Sequence, residues 1–307
     1  MRDVIIIGSG PAGYTAGIYT ARAGLKPLLI ASSVEAGGEL MKTTEVENYP
    51  GFPNGLQGPE LMDSFRAQAE RFGTEVLLDD VVEVDLKGKT KIVKTGNGLT
   101  FEAKTVILAT GAAYRELGLP KEKELSGYGI SWCATCDGFF FREKTIAVVG
   151  GGDSAMEEAT FLTRFASKVY LIHRRDSFKA SKIMQERALN NPKIEVVWNT
   201  EVAELLGEGK LSGVKLRNTV DGSTSDLDLD GLFIAIGNDP RVWLVENQVE
   251  LTAEKFIKVE GRSSKTSIPG VFAAGDVIDP TYRQAITAAG SGCVAALDAE
   301  HYLTDLE

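Results

Sequence analysis

The first 17 residues, MRDVIIIGSGPAGYTAG, place a short apolar run before a glycine-rich turn and the start of a small-residue helix. A dinucleotide-binding glycine motif requires this order of strand, turn and helix. In such a motif Gly8 makes the tight turn, Gly10 lets a pyrophosphate approach the backbone, and Gly13 lets the helix pack on the strand. Because phosphate then meets the positive end of the helix, the pattern predicts a nucleotide site.

A second copy of the pattern starts with the apolar run 145–149, which is followed by the turn GGGDSA at 150–155 and a predicted helix from Met156 to Phe165. Alanine fills the third glycine position. The next predicted strand reaches Ala31 in the first copy and His173 in the second, 23 residues after the first glycine in both. The two copies indicate two Rossmann-like domains.

Each copy closes with another apolar strand and a glycine, at 105–111 and at 232–237. The chain then runs to PGVFAAGD at 269–276 and a helix predicted from about Ala285 to Leu303, which we expect to complete the first domain. The sequence therefore predicts an α/β fold of two Rossmann-like, three-layer ββα domains, one inserted into the other. Linkers near 112–117 and 238–242 can act as a hinge. The predicted boundaries are 1–114 and 242–307 for the outer domain and 115–241 for the inserted one.

The residues after the second strand of each copy indicate which nucleotide it binds. His173, Arg174 and Arg175 follow that strand in the second copy, where guanidinium groups suit a 2′-phosphate and no acid repels it. The inserted domain is therefore expected to prefer NADPH to NADH, with Lys179 as a further cation. The alternative is a solvated basic strand end.

The first copy has Ala31-Ser32 at that place, with neither cations nor the usual acid. A dinucleotide without a 2′-phosphate, such as FAD, fits it, with Ser32 or backbone bonding the ribose. Asp276 follows a strand and a glycine and can accept hydrogen bonds from a sugar-alcohol chain, or it is a turn or N-cap residue. The helix that begins near Gln284 can direct its positive end at a reduced flavin.

The pair Cys133 and Cys136 is the other candidate site. Zinc would need two more ligands, and the remaining candidates, Cys293, His173 and His301, have no ligand spacing, so we expect redox chemistry and no metal. A lowered thiol pKa in such pairs makes one sulfur a nucleophile.

Asp137 and residues 139–141 follow the cysteine pair, and Cys293 is the third cysteine of the chain. Asp137 either handles the accompanying proton or is simply a turn residue. We expect at least one of the three residues 139–141, all phenylalanine, in the core, with the rest free to face a protein partner. Cys293 is expected to be a buried packing residue.

Composition limits the partners. A net charge of −10 argues against nucleic acid and anionic membranes. The apolar run Val4 to Ile7 is too short for a signal sequence or a membrane span, so we expect a cytoplasmic protein.

Together these segments closely resemble the low-molecular-weight, bacterial-type thioredoxin reductases over nearly the whole chain. The matching segments are CATCDG at 133–138, TEVENYPG at 44–51, HRRD at 173–176, and FAAGD at 272–276 with YRQA at 282–285. The arrangement of glutathione reductases is excluded because residues 30–60 contain no cysteine.

The resemblance implies that electrons pass from NADPH through FAD to Cys133 and Cys136, which with Asp137 form the catalytic group, and then to thioredoxin. It also implies a homodimer and rotation of the inserted domain between half-reactions. The residues expected at the FAD site are Gly8, Ser9, Gly10, Pro11, Ala12, Gly13, Gly38, Glu39, Leu40, Asn48, Val81, Thr110, Gly111, Gly275, Asp276, Arg283, Gln284, Ala285 and Ile286. Those expected at the NADPH site are Gly150, Gly152, Asp153, Ser154, His173, Arg174, Arg175, Lys179, Ile236 and Gly237.

The sequence departs from the family pattern at Lys179, where arginine is common, at Glu39, where glutamine is common, and at Pro280-Thr281. Lys179 is expected to weaken the preference for NADPH, and a charge at Glu39 to alter the flavin potential. The alternatives are a related flavoprotein disulfide reductase or dithiol oxidase, a ferredoxin or flavodoxin reductase with an incidental cysteine pair, and a non-catalytic nucleotide sensor.

Overall fold

The structure is a computed structural model that describes residues 1–34, 36–43 and 45–306. The helices of this part of the chain are α1 Pro11–Arg22, α2 Gly58–Arg71, α3 Ala134–Asp137, α4 Asp153–Leu162, α5 Lys182–Leu189 and α6 Ala285–Thr304. The strands are β1 Arg2–Ile7, β2 Leu28–Ala31, β3 Glu45–Val46, β4 Leu56–Gln57, β5 Glu75–Leu78, β6 Val81–Asp85, β7 Lys91–Thr95, β8 Thr100–Leu108, β9 Ala112–Tyr114, β10 Ile130–Ser131, β11 Thr145–Gly150, β12 Lys168–Ile172, β13 Ile194–Val197, β14 Thr200–Leu206, β15 Gly213–Asn218, β16 Thr224–Asp228, β17 Gly231–Ala235, β18 Asn238–Pro240 and β19 Val271–Ala273. Thr44, the first residue of one segment of the family resemblance, lies outside the described residues.

The chain forms two compact units. Unit 1 consists of Met1–Ala113 and Asp239–Glu307, and unit 2 of Tyr114–Asn238. Unit 2 thus lies between the two segments of unit 1 in the sequence.

Unit 1 is built on a parallel sheet with the strand order β5-β2-β1-β8, to which β19 adds beside β8. Ile7 of β1 lies between Ile30 of β2 and Leu108 of β8. These strands are continuous apolar runs because a parallel sheet is covered on both faces. The first residues of β8 pair instead with β7 in an antiparallel ladder that continues to β6.

Unit 2 repeats this plan. Its parallel sheet has the order β13-β12-β11-β17-β10, and β14, β15 and β16 form a separate antiparallel sheet. Val149 of β11 pairs with Ile172 of β12, as Ile7 pairs with Ile30 in unit 1. The order of the central strands is therefore the same in both units.

Each parallel sheet is covered by helices on one face and by an antiparallel sheet on the other. In unit 1 one cluster joins α1, α2 and α6 through Tyr14, Met62 and Ala295, and another joins β6 and β7 through Val84 and Val93. In unit 2 the corresponding clusters contain α4 and α5, and β14 and β15. The predicted α/β class with two three-layer ββα domains is confirmed.

The element boundaries differ in places from those predicted. Helix α4 starts at Asp153 rather than Met156, because the chain enters the helix directly after Gly152, its N-cap residue. The helix ends at Leu162 rather than Phe165. The N–H of Phe165 instead donates to the carbonyl of Leu162 at 3.0 Å, in a turn tighter than that of an α-helix. The antiparallel strands were not predicted, because buried and exposed residues alternate along them and they therefore contain no continuous apolar run.

The two connections between the units lie side by side as the pair β9 and β18. On the unit 1 side the N–H of Arg241 donates to the carbonyl of Gly111 at 2.9 Å, and on the unit 2 side that of Arg115 donates to Gly237 at 3.0 Å. Within the described residues, no helix has the length and apolar content that a membrane crossing needs.

Candidate functional site

The glycine turn of unit 1 packs as the motif requires. Gly8 has φ +110°, and a Cβ there would lie 2.2 Å from the carbonyl oxygen of Ala109. A Cβ on Gly13 would lie 2.0 Å from the oxygen of Gly8, whereas one on Gly10 would meet no atom within 4 Å. Since Gly10 is the N-cap of α1 and provides no side-chain cap, open space borders the free N–H groups of the helix.

The turn of unit 2 shares the crowded first position and the open second position. A Cβ on Gly150 would lie 2.4 Å from the oxygen of Ala235, and one on Gly152 would meet nothing within 4 Å. At the third position Ala155 replaces the glycine, and its methyl group packs directly under Gly150. Gly152 caps α4 without a side-chain hydrogen bond. Both open turns fit a bound pyrophosphate.

Loops from distant parts of unit 1 meet at its glycine turn. The hydroxyl of Ser9 accepts a hydrogen bond of 3.0 Å from the N–H of Gly37. A Cβ on Gly38 would lie 3.3 Å from the Cα of Gly10, and one on Gly275 would lie 2.9 Å from the Cβ of Ala12.

A second contact joins Asn48 to the start of α6. Its Nδ2 donates to Oε1 of Gln284 at 3.2 Å, and Gln284 caps α6 with Thr287 in a capping box. Ala285 is the first residue of α6, and Ile286 is exposed on its first turn. The structure thus brings most of the residues predicted at the FAD site into one region.

The carboxyl group of Asp276 in unit 1 has a strongly shifted pKa. Burial, with the charge of Asp279 as the next cause, raises the pKa of Asp276 to about 6, against the lowering effect of Arg283. Glu39 also raises the pKa of Asp276, and Arg241 lowers it. Asp276 therefore lies both in the 3-10 turn Gly275–Val277 and within an electrostatic cluster.

Glu39 is paired with cations. Its carboxylate forms an ion pair and a short hydrogen bond with Arg241, and Lys42 lies 3.7 Å from its other oxygen. The charge that we expected to alter the flavin potential is thus balanced within unit 1. The sequence did not indicate Arg241 as a partner of Glu39, because 202 residues separate the two.

The remaining residues predicted at the FAD site have structural contacts. Thr110 donates from Oγ1 to the carbonyl of Arg241 at 2.8 Å. Leu40 lies in a short 3-10 turn and packs against the core, and Val81 is the buried first residue of β6. Arg283 has φ +47°, and its N–H donates to the carboxylate of Asp279 at 3.0 Å.

In unit 2 His173 lies against the glycine turn. Its Nδ1 is 2.9 Å from the carbonyl oxygen of Gly150, and its Nε2 is 3.0 Å from that of Ser177. A Cβ on Gly151 would lie 2.2 Å from the ring. His173 therefore supports the shape of the turn, a role that the sequence did not indicate.

The three other predicted cations of unit 2, Arg174, Arg175 and Lys179, are exposed. None of them has an ion-pair partner among the residues that the structure describes. The N–H of Lys179 donates to Gly151 at 2.8 Å, so this loop also borders the glycine turn. Unpaired cations beside an open helix N-terminus fit a 2′-phosphate.

Asp153 holds a neighbouring loop. Its carboxylate accepts two hydrogen bonds of 2.8 Å from the N–H and hydroxyl of Ser181, which lower its pKa. Ser154 is exposed in the first turn of α4. Ile236 is half-buried, and Gly237, with φ +103°, lies under the side chain of Arg115.

Cys133 and Cys136 form a disulfide at the start of the short helix α3, with their Cα atoms 5.3 Å apart. Cys136 is exposed and Cys133 half-buried. The hydroxyl of Ser131 accepts a hydrogen bond of 3.0 Å from the N–H of Cys133. Burial raises the pKa of Asp137, and a hydrogen bond from Ser131 opposes this shift.

An aromatic surface follows the disulfide in unit 2. Phe139 and Phe140 are exposed, whereas Phe141 is buried, which confirms that one of the three lies in the core. The guanidinium group of Arg142 lies 4.6 Å from the ring centre of Phe139. Cys293 is half-buried in α6 rather than buried as predicted.

Comparison with known proteins agrees with this geometry. The family model for pyridine nucleotide-disulphide oxidoreductases matches residues 2–292. A thioredoxin reductase of Streptomyces coelicolor is 62% identical over 100% of this chain and 95% of its own. A bifunctional thioredoxin reductase/thioredoxin of Mycobacterium leprae is 56% identical over 99% of this chain and 66% of its own. The solved thioredoxin reductase from Giardia duodenalis is 41% identical and superposes with a TM-score of 0.93 over 99% of this chain and 100% of its own. The chain therefore belongs to the pyridine nucleotide-disulphide oxidoreductases and, within them, to the thioredoxin reductases, which use FAD and NADPH.

Proposed function

We propose that this chain reduces thioredoxin with electrons from NADPH, which reach the Cys133–Cys136 disulfide by way of FAD. The observation that carries the proposal is the disulfide within unit 2, which also has a glycine turn and unpaired cations. The name of the Mycobacterium leprae relative, which joins both activities in one chain, supports thioredoxin as the partner.

Unit 1 is the proposed FAD site and unit 2 the proposed NADPH site. When bound, the two cofactors supply the two-electron chemistry that the side chains lack. In unit 1 the turn from Gly8 to Gly13 would hold the pyrophosphate, and Asp276 and Asn48 would bond the rest of the cofactor. In unit 2 Arg174, Arg175 and Lys179 would hold the 2′-phosphate, because no acid in unit 2 is paired with them.

The disulfide chemistry follows from the residues around it. Two electrons break the bond between the two sulfurs, and two protons complete the dithiol. A thiolate of the pair then attacks the disulfide of thioredoxin, and the second thiol resolves the mixed disulfide. Asp137, whose pKa is raised by burial, is the proposed donor of the proton that a departing thiolate takes up.

The aromatic surface beside the disulfide is the proposed docking site for thioredoxin. Phe139 and Phe140 offer exposed apolar area, and Arg142 and Arg164 add positive charge beside the rings of Phe139 and Phe161. Aromatic side chains and arginine are the residues enriched where protein partners bind most strongly.

Transfer from NADPH and transfer to thioredoxin both involve unit 2, so we propose that it rotates between the two steps about the chain crossings at 113–114 and 238–239. A chemical crosslink that fixes unit 2 to unit 1 is expected to slow turnover strongly. Unchanged turnover after crosslinking would contradict the rotation.

The proposed assembly is a homodimer in the cytoplasm. Tyr19, Val294 and Leu297 expose apolar area on α1 and α6, which supports an interface on this face. Sedimentation equilibrium of Leu297→Asp is expected to give a monomer if this face is the interface.

Anaerobic titration with NADPH, followed by thiol counting with and without thioredoxin, tests the whole proposal. Cys136→Ser is expected to take up NADPH electrons but to lose nearly all thioredoxin reduction, whereas the matched control Cys293→Ser keeps it. Full activity of Cys136→Ser would indicate a different flavoprotein reductase, and oxygen uptake without thioredoxin reduction would indicate a dithiol oxidase.

A further inference from the structure

In unit 1 the strands β2 and β5 end side by side, and hydroxyl and carboxylate groups follow them. Ser32 and Ser33 follow β2, and Asp79 and Asp80 follow β5. The carboxylate of Asp80 accepts a hydrogen bond of 3.3 Å from the N–H of Ser33 and a short one from its hydroxyl. We call these four residues the strand-end corner.

The carboxylate of Asp80 in the strand-end corner stays negatively charged near neutral pH. Hydrogen bonds from the hydroxyl of Ser33, and more weakly from its N–H and from Ser32, lower the pKa of Asp80. Asp80 is exposed, so its charge faces the solvent from which a nucleotide arrives.

The backbone identifies the counterpart of the corner in unit 2. The N–H of Asp79 donates to the carbonyl of Ala31 at 2.9 Å, and that of Thr200 donates to the carbonyl of His173 at 3.0 Å. Ala31 and His173 are equivalent because both stand 23 residues after the first glycine of their unit. Thr200 therefore corresponds to Asp79.

The next strands extend this equivalence. Both β6 and β14 carry a β-bulge, which starts at Val81 in one and at Val202 in the other. The residues directly before these positions are Asp80 and Glu201. An acid thus stands at the same place in both units.

The two acids have different surroundings. Glu201 is paired across the ladder with Arg217, whose Nε lies 2.8 Å from its Oε1. The residue opposite Asp80 is Gly96, whose N–H donates to the carbonyl of Asp80 at 2.8 Å and which has no side chain. Arg217 neutralises Glu201, whereas the charge of Asp80 is directed to Ser33.

In Rossmann-like sites the residues after the second strand meet the adenosine ribose, and an acid there binds its hydroxyl groups while a cation accepts a 2′-phosphate. Unit 2 presents Arg174 and Arg175 at this place. The described residues directly after β2 in unit 1, Ser32 and Ser33, are not acidic, but Asp80 brings a carboxylate from the end of β5 onto Ser33.

We propose that Asp80 is a specificity-determining residue of unit 1, whose charge disfavours an adenosine 2′-phosphate and reserves the site for FAD. The inference rests on the assignment of FAD to unit 1 proposed above. It explains how two units with the same fold and glycine turn avoid exchanging nucleotides.

The test follows FAD rebinding to the flavin-stripped, full-length chain by the change in flavin fluorescence. Adenosine 2′,5′-bisphosphate and adenosine 5′-monophosphate are the competitors, because they differ only in the 2′-phosphate. In the wild type the bisphosphate is expected to compete more weakly. Asp80→Asn keeps a hydrogen-bond acceptor but removes the charge, and is expected to reduce this preference about five-fold, as one screened surface charge allows.

Two further variants complete the test. Asp80→Glu restores the charge and is expected to restore the preference, and Glu201→Gln, the matched change in unit 2, is expected to leave it unchanged. A preference unaltered in Asp80→Asn, or altered equally in Glu201→Gln, would overturn the inference. If Gly10→Val, whose side chain would enter the open space at the turn of unit 1, still rebinds FAD as the wild type does, the assignment of FAD to unit 1 fails instead.

Discussion

At the residue scale, the pair of Glu39 and Arg241 balances charge beside Asp276. Glu39→Gln leaves the cation unpaired and is expected to raise the flavin reduction potential, because reduced flavin is negatively charged. Arg241→Gln is expected to lower it. A shift of about 30 mV corresponds to about 1.4 kcal/mol for a two-electron couple.

Equilibration with a reference dye measures these potentials. The double variant, Glu39→Gln with Arg241→Gln, is the control and is expected to return close to the wild-type value. Shifts of the same sign in both single variants would contradict the charge balance.

Asp276 makes the stability of the flavin-free chain depend on pH. Burial raises its pKa from 3.8 to about 6, so the folded protein binds its proton more tightly than the unfolded chain does. The stabilisation that the folded chain gains by binding this proton has its full value below pH 3.8 and is lost as the pH rises through about 6. Between pH 5 and pH 8 the loss is about 1 kcal/mol.

Urea unfolding of the flavin-free chain at both pH values checks this prediction. Asp276→Asn is expected to flatten the dependence by that amount, whereas Asp63→Asn, which removes an exposed charge from α2, leaves it as in the wild type. An unchanged slope in Asp276→Asn would show that Asp276 titrates normally.

At the element scale, the glycine turn between strand and helix contains one glycine that the packing of the fold requires and one that borders open space. A Cβ on Gly150 would lie 2.4 Å from a backbone oxygen, whereas Gly152 faces open space. Gly152→Ala is therefore expected to fold normally but to raise the KM for NADPH about ten-fold or more with little change in kcat, because a uniform binding contact is lost.

Gly150→Ala is the matched comparison and is expected to destabilise unit 2 by at least about 3 kcal/mol, since the backbone has to move. Steady-state kinetics and thermal unfolding measure the two effects. An unaffected KM in Gly152→Ala would show that no phosphate approaches this turn.

These elements were predictable from sequence because their signals are local. The apolar runs before Gly8 and Gly150, and the equal spacing to Ala31 and His173, define both central sheets. The ion pair of Glu39 with Arg241 was not predictable, because it depends on how residues far apart in the sequence meet after folding. The same holds for Ser33 and Asp80, 47 residues apart.

At the scale of the whole molecule, each hydrophobic cluster belongs to one unit. Two clusters consist only of residues from unit 1 and two only of residues from unit 2. Each unit therefore has a core on both faces of its own parallel sheet, which is the condition for folding alone.

The connections suggest a direct test of this independence. The ends of unit 2 lie together, with the N–H of Arg115 bonded to Gly237 at 3.0 Å, and so do the cut ends of unit 1, with Arg241 bonded to Gly111 at 2.9 Å. A fragment of residues 114–238 is expected to unfold cooperatively and to bind NADP⁺ without flavin. Residues 1–113 joined to 239–307 by a short glycine-serine turn are expected to bind FAD and to lack NADPH-driven activity. Calorimetry, circular dichroism and flavin absorbance measure these properties, and a fragment 114–238 without a cooperative transition would show that its core depends on unit 1.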